Sequence, residues 1–323
     1  MPTAAVLGWP LTHTLSPRLH QAAYQAAGLE GWSYEARPTR PEELPSALDE
    51  VRTGRLAGVN LTVPHKRPAV ALLDQLEPPA DVLGAVNTVR LVDGRLTGAN
   101  TDVSGVLWAL GNQLGLRGPG WGGQGPALLL GSGGAALAVA YAWARLAEAR
   151  RRHGLATSPL TVAGRDPEAT AEVAAHAGPG AAVLGWDQAA DAVAAAGVLV
   201  HATVLTARGE PVPGAGRLRR GVRVLDCNYG PDAQGLVDAA GAAGAAAAVD
   251  GLGMLCAQAA GAVVKLAGIR PDLRAMAAAV GLTWPAGAAA RVKPSSKPAT
   301  CAAGPPPRAR VCAAAIGIMI AWP

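Results

Sequence analysis

The chain of 323 residues contains no phenylalanine and has only four cysteines and four lysines. The cysteines form no CxxC pair and have no histidine at a metal-binding spacing, which argues against a disulfide framework and structural zinc, so we expect no metal. No apolar run reaches the roughly 18 to 20 residues of a membrane-spanning helix, and the N-terminus MPTAAVLGWP lacks the basic segment of a signal peptide. We therefore expect a cytoplasmic protein without a membrane partner, long enough for two domains.

The formal net charge of +5 originates at the C-terminus. Residues 284–323 hold five basic side chains and no acidic one, which leaves 23 basic and 23 acidic residues in the rest of the chain. Because the rest of the chain is neutral overall, it has no electrostatic reason to bind nucleic acid, and we expect no nucleic-acid partner. Because residues 284–323 are also rich in proline and alanine and poor in core-forming residues, we expect them to form a disordered tail.

The remaining chain alternates strand-like blocks with helical ones. TAAVLGW, WSYEARP and LAGVNLTV predict three strands, a helix is expected around 65–75, and VNTVRLVDGRLTGAN predicts a hairpin that turns at Asp93-Gly94. After a glycine-rich hinge at 118–125, six further apolar blocks alternate with helices up to a final helix at about 252–267. This pattern predicts an α/β fold whose second half is a doubly wound parallel sheet covered on both faces.

A glycine turn, GSGGAA at 131–136, stands between a predicted strand and a predicted helix. It fits the pattern G-x-G-x-x-A, in which the first glycine permits a tight turn and the second lets the backbone approach a pyrophosphate. The free amides at the start of the helix then face the phosphates. A close-packed turn without a ligand is the alternative, since the chain has 41 glycines. We expect a dinucleotide to bind at Gly131, Ser132, Gly133, Gly134 and Ala135.

The next predicted strand ends at Gly164-Arg165-Asp166-Pro167. An arginine at this point suits the 2′-phosphate of NADP, whereas an acid suits the ribose 2′-hydroxyl of NAD. Arg165 therefore favours NADP. Asp166 has a separate explanation as the N-cap of a helix with Pro167 in its first position, although a role on an NAD ribose stays open.

Lys66 ends the segment NLTVPHK (60–66), just after a predicted strand, and is the only lysine among the first 264 residues. Asp102 follows the hairpin in Asn100-Thr101-Asp102, and GAVNT (84–88) contributes Asn87. Oxidation of a secondary alcohol needs a group that takes the hydroxyl proton as hydride leaves, and a lysine paired with an aspartate can do this. Each residue alone is explained as a surface or turn residue, so only the combination indicates catalysis.

Seven motifs, in order over residues 4–270, resemble the shikimate dehydrogenase family: GWPL with HTLSP (8–17), NLTVPHK, GAVNT, NTD, the glycine turn, DGLGML (250–255) and Gln258. The resemblance implies an NADP-dependent oxidoreductase that interconverts 3-dehydroshikimate and shikimate in aromatic amino-acid (chorismate) biosynthesis, as a monomer or homodimer. It implies a substrate-binding domain at 1–102, to which 255–283 return, and across a cleft an NADP-binding Rossmann domain at 103–254.

The resemblance also implies roles for individual residues. Lys66 and Asp102 would be the catalytic acid/base pair. The substrate carboxylate and ring hydroxyls would be bound by Thr14, Ser16, Asn60, Thr62, Asn87, Tyr229 and Gln258. The cofactor would be bound by the glycine turn together with Gly164, Arg165, Asp166, Thr203 and Gly251. Ser16 has a second explanation as the N-cap of the helix before Pro17.

The chain departs from the family pattern at four places. Thr14 replaces a serine, HATV at 201–204 replaces N-A-T-S, Val103-Ser104 replaces a glycine, and Gly164 replaces an asparagine. Thr14 and Asp166 keep open a quinate/shikimate dehydrogenase that uses NAD. The altered 201–204 segment keeps open a catalytically silent protein that binds a nucleotide or another ligand.

Overall fold

A computed structural model describes residues 1–11, 13–119, 121 and 125–285. The predicted hinge at 118–125 lies partly outside these residues, and the predicted tail lies outside them from residue 286 onward. The strands of the described chain are β1 (Thr3–Gly8), β2 (Ser33–Pro38), β3 (Gly58–Leu61), β4 (Gln75–Leu76), β5 (Thr88–Val92), β6 (Arg95–Ala99), β7 (Ala127–Leu130), β8 (Leu160–Gly164), β9 (Ala182–Gly185), β10 (Val198–His201), β11 (Arg223–Asp226) and β12 (Ala247–Val249). Its α-helices are α1 (Ser16–Ala26), α2 (Leu44–Arg52), α3 (Ala80–Leu83), α4 (Asp102–Trp108), α5 (Gly134–Arg152), α6 (Pro167–Ala175), α7 (Ala189–Ala195), α8 (Pro231–Ala242), α9 (Leu252–Ala267) and α10 (Leu273–Ala279).

The first sheet has the strand order β2-β1-β3-β5-β6-β4. Strands β2, β1 and β3 are parallel, whereas β5 runs antiparallel to both β3 and β6. The predicted hairpin is confirmed, because β5 and β6 are joined at Asp93 and Gly94, which both have positive φ (48° and 74°), as the tightest hairpin turns require. The parallel part of the sheet directs the carboxyl ends of β1 and β3 to the same edge.

The second sheet is parallel throughout and has the order β12-β11-β10-β7-β8-β9. Numbered from its own first strand, this is the order 3-2-1-4-5-6 of doubly wound dinucleotide-binding sheets. Its central strands, β7 and β10, are buried along their whole length, as expected for a sheet covered on both faces. The α/β fold with a Rossmann-like second half is therefore confirmed.

Helices α9 and α10, which follow the second sheet, pack against elements of the first half of the chain. Helix α9 contacts α1, α4, β3 and β5, and α10 contacts α1. Glycines permit the close crossing of α4 and α9: a Cβ atom on Gly105 would lie 2.5 Å from the Met254 carbonyl oxygen, and one on Gly261 would lie 3.3 Å from Thr101 Cβ. The predicted domain boundaries themselves stay a prediction.

One predicted element was wrong. In place of a helix at 65–75, the chain forms a 3₁₀ turn at Pro68–Leu72 and then the short strand β4. Pro64 and Pro68 have no N–H to donate, and the amide of Val70 bonds the carbonyl of Arg67, three residues back (3.1 Å). Among the helices of the described ranges, none is long and apolar enough to cross a membrane.

A buried histidine lies in the core between α1 and the first sheet. The His20 ring stacks on Tyr34 at a centroid distance of 3.9 Å, and its Nδ1 lies 3.3 Å from the Tyr24 hydroxyl. Burial lowers the pKa of His20 from 6.5 to about 3, because the apolar surroundings disfavour the charged imidazolium. The folded protein therefore holds His20 neutral.

This burial predicts a pH-dependent stability. Between its folded pKa of about 3 and its unfolded value of 6.5, the unfolded chain binds a proton at His20 that the folded chain does not, so stability falls as pH falls. In urea titrations between about pH 5 and 6, we expect His20→Gln to reduce this slope by about 1 kcal/mol per pH unit. The wild-type protein, titrated under the same conditions, is the reference for the slope. An unchanged slope in His20→Gln would contradict the buried neutral state.

Candidate active site

Two loops that follow β1 and β3 form one side of the site. The amide of Thr62 donates to the carbonyl of Leu7 (2.9 Å), and the amide of Trp9 donates to the carbonyl of Val63 (2.9 Å). A Cβ atom on Gly8 would overlap the methyl carbon of Thr62, so only glycine lets the loops approach this closely. The loop with the predicted Thr14 and Ser16 is therefore anchored beside the loop with Thr62 and Lys66.

The predicted catalytic pair meets in space. Lys66 Nζ lies 2.6 Å from Asp102 Oδ2, although the residues are 36 positions apart, and the two side chains are only 17% and 7% exposed. Asp102 is the first residue of α4, where the helix dipole favours a carboxylate, and its own amide donates to Asn100 Oδ1 (3.0 Å). The amine therefore sits against a fixed, largely dehydrated carboxylate.

Asn87 connects the residues around this carboxylate. Its Nδ2 donates to Asp102 Oδ1 (2.8 Å) and lies within 3.3 Å of Thr101 Oγ1 and Gln258 Oε1. Its Oδ1 accepts from the amide of Thr101 (2.8 Å) and the hydroxyl of Thr88 (3.0 Å). Asn87 thus fixes both Asp102 and Gln258, and the tight crossing of α4 and α9 brings Gln258 within its reach.

Three predicted carboxylate-binding residues form a second group. The amide of Ser16 lies 3.3 Å from Thr14 Oγ1, and the Tyr229 hydroxyl, which comes from the loop after β11, donates to the carbonyl of His13 (3.4 Å). Burial raises the pKa of Tyr229, so the phenol stays protonated and can donate a hydrogen bond. Ser16 is not the N-cap of α1: Leu15 holds that position and Ser16 is the first helical residue.

Asn60 and Thr62 differ in their surroundings. Asn60 is buried and makes three hydrogen bonds to the protein: its Oδ1 accepts from the Tyr34 hydroxyl (2.7 Å), and its Nδ2 donates to the Asn87 carbonyl (3.0 Å) and to Thr88 Oγ1 (2.9 Å). The half-buried Thr62 packs its methyl group over Gly8. In this conformation Asn60 supports the backbone of Asn87, and a substrate role for either residue stays a prediction.

The glycine turn lies next to the Lys66 side chain of the predicted catalytic pair. Gly131 directly follows β7 with φ of +127°, and a Cβ atom there would lie 2.6 Å from the carbonyl oxygen of Ala202. A Cβ atom on Gly134, the first residue of α5, would lie 3.5 Å from Lys66 Cδ. The amides in the first turn of a helix have no partner within the helix, so Gly134 and Ala135 place free donors beside the Lys66 side chain.

The loop that contains Lys66 also contacts the second half of the chain. Arg67 Nη2 pairs with Glu172 Oε1 on α6 at 2.7 Å. Both side chains are more than a third exposed, so the pair adds little stability. It does show that the 62–67 loop lies against the helix that starts at the predicted cofactor residue Asp166.

The predicted 2′-phosphate region contains an exposed arginine and a capping aspartate. Asp166 Oδ1 accepts from the amides of Glu168 (3.0 Å) and Ala169 (3.1 Å), which confirms its N-cap role. Arg165 is exposed at the end of β8. A Cβ atom on Gly164 would overlap the Thr170 hydroxyl, so the asparagine of the family pattern does not fit here without movement of Thr170.

The loop after β10 carries Thr203 and is fixed by residues that the sequence reading missed. His201 Nε2 lies 2.6 Å from Thr203 Oγ1, and Asn228 Nδ2 donates to the carbonyl of Thr203 (3.0 Å). The amide of Gly251, the N-cap of α9, donates to the carbonyl of Asn228 (2.7 Å). Asp226 and Asn228 carried no motif signal, because their contacts with His201 and Thr203 join residues 25 positions apart.

Comparison with known proteins identifies the family. A family model described as the shikimate dehydrogenase substrate binding domain matches residues 6–89. A shikimate dehydrogenase (NADP(+)) of Citrifermentans bemidjiense is 37% identical over 264 residues, which cover 79% of this chain and 86% of that protein. The chain belongs to the shikimate dehydrogenase family. A second relative of the same name, from Rhodospirillum rubrum, is 41% identical over 263 residues, 79% of this chain and 88% of its own.

Solved structures show the same fold. The shikimate dehydrogenase of Thermus thermophilus, solved in complex with NADP(H) and shikimate, has a TM-score of 0.68 and 36% identity, and the match covers 86% of this chain and 98% of that one. The Mycobacterium tuberculosis shikimate dehydrogenase gives a TM-score of 0.70 at 33% identity, covering 87% and 99%. The 5-ketofructose reductase of a Gluconobacter strain gives 0.68 at 25%, covering 86% and 97%.

Because the buried Asn60 amide is hydrogen-bonded to protein, we expect its removal to destabilise the fold of this shikimate dehydrogenase family member. We expect Asn60→Ala to lower the free energy of unfolding by about 1 to 3 kcal/mol, because the buried Tyr34 hydroxyl loses its acceptor. In a Tyr34→Phe background the same change should cost less, since no hydroxyl is left unpaired. Urea unfolding of the four proteins measures this coupling, and an equal loss in both backgrounds would contradict it.

Proposed function

We propose that this protein is an NADP-dependent shikimate dehydrogenase that interconverts 3-dehydroshikimate and shikimate. The observation that carries the proposal is the Lys66–Asp102 pair, 2.6 Å apart, with the Lys66 side chain against the first residue of the helix that follows the glycine turn. A proton donor and a dinucleotide-binding turn therefore share one location. Family membership supports the substrate, since the named relatives are shikimate dehydrogenases.

The residues present fit a bound NADP. The Ala202 carbonyl lies so close to Gly131 that a side chain would not fit there, as expected for a tight turn. A Cβ atom on Gly133, in contrast, would meet nothing within 4 Å, so this part of the turn is open to a pyrophosphate. The amides at the start of α5 would hold the phosphates, and the exposed Arg165 would pair with the 2′-phosphate. When bound, the cofactor supplies hydride to the substrate carbonyl.

Proton transfer falls to Lys66. In reduction, the ammonium at Nζ gives a proton to the carbonyl oxygen as negative charge develops there; in oxidation, the amine takes the hydroxyl proton. Asp102 Oδ2 holds the amine in place, and Asn87 holds Asp102 through Oδ1. Because both partners of the pair are largely buried, their orientation does not depend on solvent.

Substrate recognition divides between the two groups of side chains. The hydroxyls of Thr14, Ser16 and Tyr229 would hold the carboxylate, and Thr62, Asn87 and Gln258 would hold ring hydroxyls beside the catalytic pair. Buried polar groups discriminate strongly, because a substrate without the matching hydroxyl leaves them unpaired. We place the reaction in aromatic amino-acid biosynthesis in the cytoplasm, with the protein acting as a monomer or homodimer.

A quinate/shikimate dehydrogenase that uses NAD is the second candidate, and Thr14 is the observation that favours it. Its extra methyl group changes the shape of the carboxylate pocket. Asp166, the other residue behind this candidate, already accepts two backbone amides through Oδ1. The capping role therefore explains Asp166 without an NAD ribose.

Steady-state kinetics of the purified chain with shikimate or quinate, each with NADP or NAD, tests the proposal. We expect shikimate with NADP to have the highest kcat/KM. We expect Lys66→Ala to lower kcat about 10² to 10⁴-fold with little change in substrate binding, because it removes the proton donor. Lys66→Arg should be similarly slow, since it keeps a cation beside Asp102 but does not release a proton. Preference for quinate and NAD would favour the second candidate. Nucleotide binding without turnover would identify a silent homologue.

The exposed position of Arg165 predicts its effect on cofactor choice. We expect Arg165→Ala to raise KM for NADP about 10- to 100-fold, the loss of a charge-assisted hydrogen bond, and to leave KM for NAD nearly unchanged. NAD serves as the control within the same variant, since it lacks the 2′-phosphate. Equal effects on both cofactors would remove Arg165 from the 2′-phosphate site.

A further inference from the structure

A fully buried histidine and aspartate form a pair at the centre of the second sheet. His201 ends β10 and Asp226 ends β11, and the two residues are direct neighbours in the parallel register. His201 Nδ1 lies 3.0 Å from Asp226 Oδ1, and both side chains are 0% exposed. Among the described residues no hydrogen bond or ion pair joins His201 or Asp226 to Lys66 or Asp102, so the proton transfer proposed above leaves this second pair unexplained.

The chemistry of the partners sets the direction of the hydrogen bonds. A carboxylate only accepts, so Nδ1 of His201 carries the hydrogen and donates to Asp226. In the neutral ring Nε2 is then an acceptor, and the hydroxyl of Thr203, 2.6 Å away, must donate to it. The Thr203 oxygen also accepts from the amide of Leu205 (3.2 Å), which leaves one lone pair for a donor from outside the protein.

Asp226 also fixes the backbone of the same threonine. Its Oδ1 accepts from the amide (2.9 Å) and the Nδ2 group (2.9 Å) of Asn228. Asn228 Nδ2 in turn donates to the carbonyl of Thr203 (3.0 Å). Asp226 Oδ1 therefore acts on Thr203 in two ways. Through His201 it orients the Thr203 hydroxyl, and through Asn228 it holds the Thr203 carbonyl.

This threonine lies directly beside the glycine turn. A Cβ atom on Gly131 would lie 2.6 Å from the Ala202 carbonyl and 3.4 Å from Thr203 Cγ2. Strands β7 and β10 are the neighbours between which the strand order reverses, the point at which such sheets bind a dinucleotide. The half-buried Thr203 is thus the side chain of this loop that both touches the turn and keeps an acceptor free.

We propose that His201 is a positioning residue for the cofactor: backed by Asp226, it turns the Thr203 hydroxyl so that its oxygen accepts an N–H of the bound dinucleotide. The carboxamide of a nicotinamide ring supplies a donor of this kind. The inference rests on the proposed function for the identity of the cofactor. His201, the histidine of HATV that stands where the family pattern has asparagine, would thus act on the cofactor through Thr203.

A double-mutant cycle with NADPH binding as the readout tests this role. His201→Asn can still reach Asp226 with an amide but no longer reaches Thr203, and Thr203→Val removes the hydroxyl. We expect each to weaken NADPH binding, measured by calorimetry, about 2- to 10-fold, the effect of one hydrogen bond. Because His201 acts through the hydroxyl, His201→Asn/Thr203→Val should bind no more weakly than Thr203→Val alone. Thr203→Ser should bind like the wild type.

Two further measurements distinguish positioning from general loss of structure. Nitrogen-15 NMR of the histidine rings should show His201 with a protonated Nδ1 and a bare Nε2 at neutral pH. His20→Asn removes the other buried histidine described above, so it should lower Tm without changing NADPH affinity. Multiplicative losses in the double variant, or a proton on Nε2, would overturn the inference.

The outcomes also separate this inference from the proposed function. A wild type that binds NADPH but does not turn over shikimate would refute the proposed reaction, while the binding cycle would still decide the role of His201. A wild type that binds no NADPH would refute both. Normal turnover with independent effects of His201→Asn and Thr203→Val would refute the positioning role alone.

Discussion

The contact between Lys66 and Asp102 depends on a buried amide. Removing two charges from water is costly, and their mutual attraction repays it only where further hydrogen bonds satisfy the remaining lone pairs. Here Asp102 uses one oxygen for Lys66 and the other for Asn87. Asn87 is itself held by Thr88, Thr101 and the support of Asn60. The ion pair is therefore better explained by the orientation of the amine than by the stability it adds.

The topology explains why so many distant segments meet at this pair. The loops after β1 and β3 leave the same edge of the first sheet, because these strands are parallel neighbours. The glycine turn and the HATV loop leave the adjacent strands β7 and β10 of the second sheet in the same way. Helix α9 then adds Gln258, and its approach depends on Gly105 and Gly261. These two sheet edges and one helix crossing thus bring the loops and Gln258 together, while Asn87 and Asp102 flank the antiparallel hairpin of β5 and β6.

Much of this arrangement could be predicted from sequence because its signals are local. Alternating apolar blocks indicated the strands, Asp93-Gly94 marked the hairpin, and Asp166-Pro167 marked a helix start, since each depends on a few adjacent residues. The segment around Pro68 was predicted wrongly because apolar spacing does not distinguish an α-helix from a 3₁₀ turn between prolines. Ser16 was equally ambiguous, since a serine before proline fits both the N-cap and the first helical position.

The contacts that could not be predicted are those between residues far apart in the chain. The hydrogen bonding of Asn60 to Tyr34 and Thr88 joins three strands, and the pairing of His201 with Asp226 requires the register of β10 with β11. No spacing in the sequence encodes either contact. Motif matching therefore predicted Lys66, Asp102 and Asn87, but not these contacts between distant residues.

The departures from the family pattern near the predicted cofactor site have local structural explanations. Gly164 stands where asparagine is expected, and the Thr170 hydroxyl occupies the space that any larger side chain would need. His201 stands where another asparagine is expected, and the buried carboxylate of Asp226 satisfies its ring. An unpartnered imidazole would be costly in the interior, so the Asp226 carboxylate makes the exchange at position 201 tolerable. The altered HATV loop is consequently an ordered, hydrogen-bonded structure, and its sequence alone is no argument for a protein that has lost its activity.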